Sequence, residues 1–439
     1  CDYVQEIGRA ARRPGLEGEA IYDYESHDFK HINRLQGLSA IKKYQLVGVI
    51  KKIEALYQRQ RYSRKAAFTR KSNAMLLDAE NFTYLFGNPL SDDSDNINKV
   101  KTALLMIQKD FEKKRGFSPI MTRPVPMFGT GFFAISKNMQ TLLRHIYHTT
   151  IKEVDAAQHI CSVNLENIWK QDYQNMSFPK FKYLLYTRDE SLAFNKKYEL
   201  HPAYCVDLTF DADSIERFQI IWKKLEDIVY PYVTKKTYVS SKELTLTLRE
   251  MKEYKDHSYW ASNLCEIVLS SMHTYSWEFT HSMQRMMNVK SMQNGQVTYQ
   301  FSSAIRNYFR WGRDMFRKFM EHGNMGKLYL TELSGGHTIK EANIALGVFE
   351  AMGVLDFNIS GGDNSQIYVY INQEQALQNI VNNPNSYHNS LLEEIAARHK
   401  ISVQMLTYIF NGDFSSDKIW DLLEDYFLGK VPARVQDLL

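Results

Sequence analysis

Four residues near the amino terminus have the types and spacing to handle a phosphate: they form the run Gln5-x-x-Gly8-Arg9-x-x-Arg12. Arg9 and Arg12 are three apart, which puts them on one face of a helix. A guanidinium is planar, stays charged and grips two phosphate oxygens at once. Gly8 has no Cβ and lets the backbone pass close to a nucleotide or a neighbouring element. Two further sets of cations suit a polyanion. Between Arg34 and Lys71 eleven Lys and Arg, among them Lys42, Lys43, Lys51, Lys52, Arg59 and Arg61, stand against one acid, Glu54. Such an excess offers contacts to a nucleic-acid backbone, or else a solvated helical face. Arg306, Arg310, Arg313 and Arg317 recur at four, three and four beside Tyr308, Phe309 and Trp311. Arginines interleaved with aromatics can clamp and stack single strands. The competing reading is an amphipathic helix with its aromatics in the core and its arginines in solvent.

The run Asp2–Pro14, D-Y-V-Q-E-I-G-R-A-A-R-R-P, resembles motif VI of superfamily 2 helicases, and in particular the RecQ-like version Q-x-I-G-R-A-G-R. Ala11 stands where the second glycine is usual. The resemblance covers residues 1 to about 30. It implies the tail of a RecA-like lobe, with the strand-like E-A-I-Y-D-Y of Glu19–Tyr24 following the turn at Gly15 and Gly18. It also implies ATP in a cleft between two lobes, with Arg12 as the arginine finger. Arg9 would contact phosphate or a bridging carboxylate, and Gln5 would orient water or couple nucleotide to nucleic acid. Phosphoryl transfer is catalysed mainly by positioning and charge neutralisation, and a finger supplies both.

The sequence has no Gly-x-x-x-x-Gly-Lys-Ser/Thr loop and no Asp-Glu-x-His box. A complete helicase needs both to hold the phosphates and magnesium. With Cys1 in first place, the expectation is a C-terminal piece, inactive alone, with ATP and Mg2+ bound mainly by a missing N-terminal part. RecQ-like enzymes usually carry a four-cysteine zinc module. The cysteines here, at 1, 161, 205 and 265, form no Cys-x-x-Cys pair, so neither zinc nor a disulfide framework is expected. His145 and His148, three apart, lack the further ligands that a metal needs. A reducing, cytoplasmic compartment follows as an expectation. No apolar run approaches the roughly 18–20 residues of a membrane helix.

The elements that must position these groups read as mostly α with small β parts. Leu38–Tyr62 carries an apolar stripe at Leu46, Val49, Ile50, Ile53, Leu56 and Tyr57. Helices are expected over Lys99–Lys114, Asn138–Trp169, Asp213–Val229 (stopping before Pro231), Trp260–Met287 and Ser302–His322. Extended segments are expected at Lys180–Asp189 and Pro202–Leu208. Lys327–Leu333 reads as a strand, Thr338-x-x-Glu341 as a capping box opening a helix to Met352, and Val354–Ile359 with Gln366–Ile371 as a hairpin around Ser360–Ser365. That order resembles a winged helix. The expected organisation is therefore a RecA-like tail (1–31), a basic helical linker (32–75), an α/β accessory region (76–250), a helical region (251–325), a winged helix (326–375) and a C-terminal helical segment (376–439) anchored by Leu422, Leu423 and Phe427. DNA is the expected partner, with RNA open, and protein partners could use the C-terminal helices. The alternatives are a non-enzymatic winged-helix DNA-binding protein and a protein-interaction scaffold.

Overall fold

The computed structural model describes Gly15, Gly18 and residues 41–63, 73–87, 96–125, 129–280, 285–291, 297–323, 326–331, 338–362 and 366–437. The chain divides into two compact units. One is Ile41–Leu392, and the other takes Glu393–Leu439 together with Cys1–Ala40. The architecture is mostly helical with small antiparallel sheets.

In chain order the larger unit starts with helix α1 (Lys43–Ser63), strand β1 (Ala74–Asp78), a 3-10 turn (Ala79–Phe86), α2 (Asn96–Arg115) and β2 (Ile120–Val125). Next come β3 (Thr130–Ala134), α3 (Lys137–Tyr147), β4 (Ile151–Asp155), β5 (Ile160–Asn164), α4 (Glu166–Asp172), α5 (Phe178–Tyr186), α6 (Ala193–Lys197) and β6 (His201–Phe210). They are followed by α7 (Ser214–Lys235), β7 (Val239–Ser240), α8 (Ser241–Leu248), α9 (Ser258–Thr274) with a π turn (Tyr275–Phe279), β8 (Met287–Ser291) and β9 (Val297–Phe301). The last elements are α10 (Ile305–Gly323), β10 (Lys327–Thr331), α11 (Thr338–Ala351), β11 (Leu355–Ser360), β12 (Gln366–Ile371) and α12 (Glu374–Asn382).

The ten-residue strand β6 organises the largest sheet. It pairs with β10 through Ala203–Asp207, with β3 through His201–Ala203 and with β11 through Cys205–Phe210. A strand has two edges. Because β10 overlaps both other partners, β3 and β11 must share the opposite edge, with β5 and β4 continuing beyond β3. A second sheet has the order β1-β12-β2. Pro124 lies on β2, an edge strand of that sheet, where its missing N–H removes no ladder bond from a neighbour on the open side. One apolar core runs through the unit, from the α1 stripe (Leu46, Val49, Ile50, Ile53, Leu56, all buried) to α11 and β12.

Four of the expected domain boundaries, after 75, 250, 325 and 375, fall inside this unit. The hairpin expected around 360–365 is not formed. β11 joins β6 in one sheet, whereas β12 sits between β1 and β2 in another. Gly361 and Gly362 carry the chain between the two sheets. A Cβ on Gly361, whose φ is +88°, would lie 2.2 Å from the Phe132 ring, and one on Gly362 would lie 2.7 Å from the Tyr204 ring. These glycines serve a close crossing under two aromatic rings and not the tip of a wing. Asp363 and Asn364 lie outside the described residues.

Other local expectations shift for identifiable reasons. Lys180–Asp189, expected extended, is largely helix. Ser177 caps α5, accepting from the Lys180 N–H, and Phe178, Phe181 and Leu185 form a buried stripe. The helix expected to reach Trp169 ends at Tyr147 with His148 left-handed, and β4 and β5 pair around a turn in which Asp155 accepts from the N–H groups of Ala157 and Gln158. Helix α7 continues through Pro231 for a further turn, where Tyr232 and Val233 pack on the core. The helix expected to reach Met287 closes with the π turn, and Met287 begins β8.

The C-terminal unit contains α13 (Ser390–Asn411, entered from the larger unit), α14 (Ser416–Phe427) and α15 (Ala433–Gln436). Met405, Ile409, Leu422, Leu423 and Val435 form its small core. Leu422 and Leu423 anchor α14 as expected, but Phe427 is exposed.

The crossing at Gly361 generates a prediction. Gly361→Ala forces both an unfavourable φ and an overlap with Phe132, so it should destabilise the protein by roughly 2–4 kcal/mol. Urea denaturation measures this. An unchanged midpoint would show that the crossing tolerates a side chain.

Candidate nucleic-acid interface

Gln5, Gly8, Arg9 and Arg12 lie outside the described residues. The cations of α1 and α10 are placed, and the two helices use them differently.

On α1 most of the basic residues turn inward or are tied to neighbours. Lys42 is exposed, 3.9 Å from Glu266. The Lys43 ammonium donates to the Asn385 carbonyl at 3.0 Å. Lys51 is half-buried, its ammonium 4.3 Å from the centre of the Trp260 ring. The Arg59 guanidinium donates to the Asp356 carbonyl at 3.1 Å, and Arg61 pairs with Glu374. Lys52 is buried, which corrects its expected role as a phosphate contact. Its ammonium lies 2.5 Å from Glu350 Oε1, donates to the Phe357 carbonyl at 2.6 Å and sits 3.3 Å above the Phe357 ring.

The second carboxylate oxygen of Glu350 accepts from the Tyr84 hydroxyl at 2.6 Å. This network therefore ties α1, the 3-10 turn, the last turn of α11 and β11 together. A small cleft adjoins it, lined in part by Gly48, Lys51, Tyr84 and Asn263. Burial pushes the Lys52 ammonium below its ordinary range, while Glu350 and Asp356 pull the other way. Burial, reinforced by Glu350, holds the Tyr84 phenol well above its ordinary value. The sequence reading missed Glu350 and Tyr84 as partners. The available signal was Glu350 itself, a carboxylate directly following the apolar Val348 and Phe349 near the end of a helix, where an ionised group must find a counter-charge.

Helix α10 has the opposite design. Arg306, Arg310, Arg313, Arg317 and Lys318 are all exposed, and Tyr308, Phe309 and Trp311 are all buried. Trp222 on α7 explains the inward side. Its indole N–H donates to the Phe309 carbonyl at 3.1 Å, its ring lies 5.7 Å from Tyr308, and a Cβ on Gly312 would fall 2.0 Å from it. Phe218 and Phe316 stack at 3.9 Å. The Trp311 indole donates to Glu341 at 2.6 Å. The expectation that these three aromatics stack on bases is thereby overturned, since their faces are occupied by one another.

The arginine row is only partly neutralised. Arg313 pairs with Glu226 at 3.0 Å and Arg317 with Asp314 at 3.5 Å. Arg306 lies 5.4 Å from the centre of the Tyr230 ring. Arg310 and Lys318 have no ion pair among the described residues. An exposed, under-neutralised row of this kind can take up phosphates, displacing condensed counterions.

Among the described residues no group of three or more His, Cys, Asp and Glu could hold a metal ion, and no helix is long and apolar enough to cross a membrane. No protein-family model, curated protein or solved structure matches the chain.

The buried network yields one prediction and the buried phenols a second. Glu350→Gln leaves the Lys52 charge buried without its counter-ion and should cost about 3–5 kcal/mol. Adding Lys52→Met removes that charge and should restore much of the loss. Urea denaturation of the single and double variants reads the coupling, and additive losses would show that the pair does not act as a unit.

The second prediction concerns alkaline pH. Burial holds the phenols of Tyr84, Tyr299, Tyr308 and Tyr387 above the ordinary value of about 10. Their contribution to stability is full below the unfolded value and is lost as pH rises above it, because only the unfolded chain ionises there. The lowered Lys52 value acts in the opposite sense below its own unfolded value of about 10.4, but it is one group against several. Stability should therefore fall steeply above about pH 10, by up to ~1.4 kcal/mol per pH unit for each phenol. Part of the rise in tyrosinate absorbance should coincide with unfolding; ionisation of every phenol while the protein is still folded would contradict the burial argument.

Proposed function

We propose that this chain supplies the C-terminal part of an ATP-dependent superfamily 2 helicase acting on nucleic acid, with DNA as the favoured substrate. The single observation that carries the reading is the spacing Gln5-x-x-Gly8-Arg9-x-x-Arg12. In this reading Arg12 is the finger and Arg9 a phosphate contact. A lobe carrying the phosphate loop and the acidic box, neither of which occurs in this sequence, holds most of ATP and Mg2+. The larger unit is then an accessory body, and its α10 face (Arg306, Arg310, Arg313) meets the nucleic-acid backbone. Lys42, the exposed lysine just before α1, is a lesser contact. Protein partners belong to the C-terminal helices, where Ile395, Trp420, Phe427 and Leu428 are exposed.

A second reading, a nucleic-acid-binding protein without a motor, is favoured by the α10 row, which needs no nucleotide to act. One substitution separates the two. Arg12→Ala, in the protein joined to or assembled with the lobe that bears the phosphate loop, should lower strand-stimulated ATP hydrolysis by about 10³-fold or more, while strand affinity stays within about twofold. Phosphate release and fluorescence anisotropy measure the two quantities. Undiminished turnover in the Arg12 variant would overturn the finger assignment and leave the second reading.

A further inference from the structure

The α10 row supplies cations but no aromatic face from its own helix, so a base would need a ring from another element. Trp277, in the π turn that ends α9, is 52% exposed. The Arg285 guanidinium covers one part of its ring at 4.0 Å, and the His273 ring lies 5.7 Å from it. The flanking acid, Glu278, is already paired with Lys340 at 2.6 Å. Hydrogen bonds tie this group to Ser302, in the turn that leads into α10. Ser276 Oγ accepts from the Met286 N–H at 3.1 Å, the Met286 carbonyl accepts from the Ser302 N–H at 2.8 Å, and the Arg285 carbonyl accepts from the Ser302 hydroxyl at 2.8 Å. Ser302 is four residues before Arg306. On the other side of the π turn, Tyr275 packs 4.7 Å from Trp311, the neighbour in sequence of Arg310. Trp277 and Arg285 are thus tied to the segment that leads into α10, four residues before Arg306. π turns are uncommon and occur frequently at functional sites.

From this placement we infer that Trp277 and Arg285 form a stacking platform for an unpaired nucleotide base, with Arg306 and Arg310 holding the adjacent phosphates. The inference rests on the nucleic-acid reading of α10 and deepens it by naming single-stranded over duplex nucleic acid. A base must leave its stack before an indole can take its face, whereas a duplex offers this surface only phosphates. An acidic protein would satisfy the arginines equally but would leave the indole without a planar partner unless it presented a ring of its own.

The test uses the full chain and fluorescein-labelled oligothymidylate of about twenty nucleotides, with an abasic strand and a duplex of the same length as controls. Trp277→Ala should weaken oligothymidylate binding by roughly 5- to 100-fold, leave abasic-strand binding unchanged and keep the salt dependence. Trp277→Phe should retain most of the affinity but lose much of the quenching of intrinsic fluorescence on binding. Arg306→Gln and Arg310→Gln should each weaken all three ligands and reduce the salt slope by about one. Trp277 is exposed, so these variants fold. Unchanged oligothymidylate affinity in Trp277→Ala, or equal weakening toward the abasic strand, overturns the platform and leaves the reading of α10 standing. Failure of the wild-type chain to bind any of the three ligands overturns both.

Discussion

Lys52 sits on a helix whose neighbouring positions build the main core, and its ammonium cannot leave water without a counter-charge and hydrogen-bond acceptors. The chain meets that demand from sites far away in sequence: Glu350 gives the charge, the Phe357 carbonyl an acceptor and the Phe357 ring a polarisable face. Because each partner belongs to a different element, satisfying one ammonium fixes the position of α1 against the end of α11 and the start of β11. The Tyr84 hydroxyl occupies the remaining oxygen of Glu350 and brings in the 3-10 turn. A buried ion pair of this kind adds little net stability over an apolar isostere. Once present, however, it penalises every arrangement in which its members are apart. Its contribution is therefore to the uniqueness of the fold around it.

The same residues explain why the segment after α11 leaves for two sheets. β11 is held to β6 along six register positions and follows directly on the helix that carries Glu350. The chain then crosses beneath Phe132 and Tyr204 through two glycines to reach β12, the central strand of the other sheet. Between those sheets, Asn81 bridges to β11: its side chain donates to the Ile359 carbonyl at 2.8 Å and accepts from the Ile359 N–H at 2.6 Å. Strand pairing here is long-range on both sides of the glycines, and the early part of the chain, β1 and β2, is needed to complete what the late part begins.

That dependence marks the border of what was legible. Elements whose signal is local were readable. The α1 stripe, the two long helices α2 and α7 and the strand β6 follow from spacing, and the strand–helix–strand–strand order of 327–371 was read correctly. What the residues could not reveal was which strand pairs with which. Ser360-Gly361-Gly362 has the composition of a hairpin turn, and only the presence of Phe132 and Tyr204 above it makes it a crossing. Likewise Phe181, Tyr183 and Leu185 alternate as in a half-buried strand, whereas Phe178, Phe181 and Leu185 share a helix face, and the Ser177 cap decides between the two. Lys52 counted as one more cation of a basic run because its partner is 298 residues away. The motif at Gln5–Arg12 stands apart, since its meaning rests on residue identity alone.

For α10, both readings of its sequence pattern began from the same observation, arginines interleaved with aromatics. The geometry separates the two roles. Tyr308 stacks on Trp222, Phe309 meets it edge-on and Trp311 packs on Tyr308, so the three rings fix the helix axis, and the arginines at 306, 310, 313 and 317 are carried outward as a consequence of helical periodicity. A helix that places its rings in the core can contribute charge to a ligand but no stacking, so any recognition of bases at this face requires an aromatic from another element. The close of α9 meets that requirement physically: its π turn aims Tyr275 inward at Trp311 while leaving Trp277 exposed, and the serine-mediated ties to residues 285–286 link that outward ring to the segment that leads into α10.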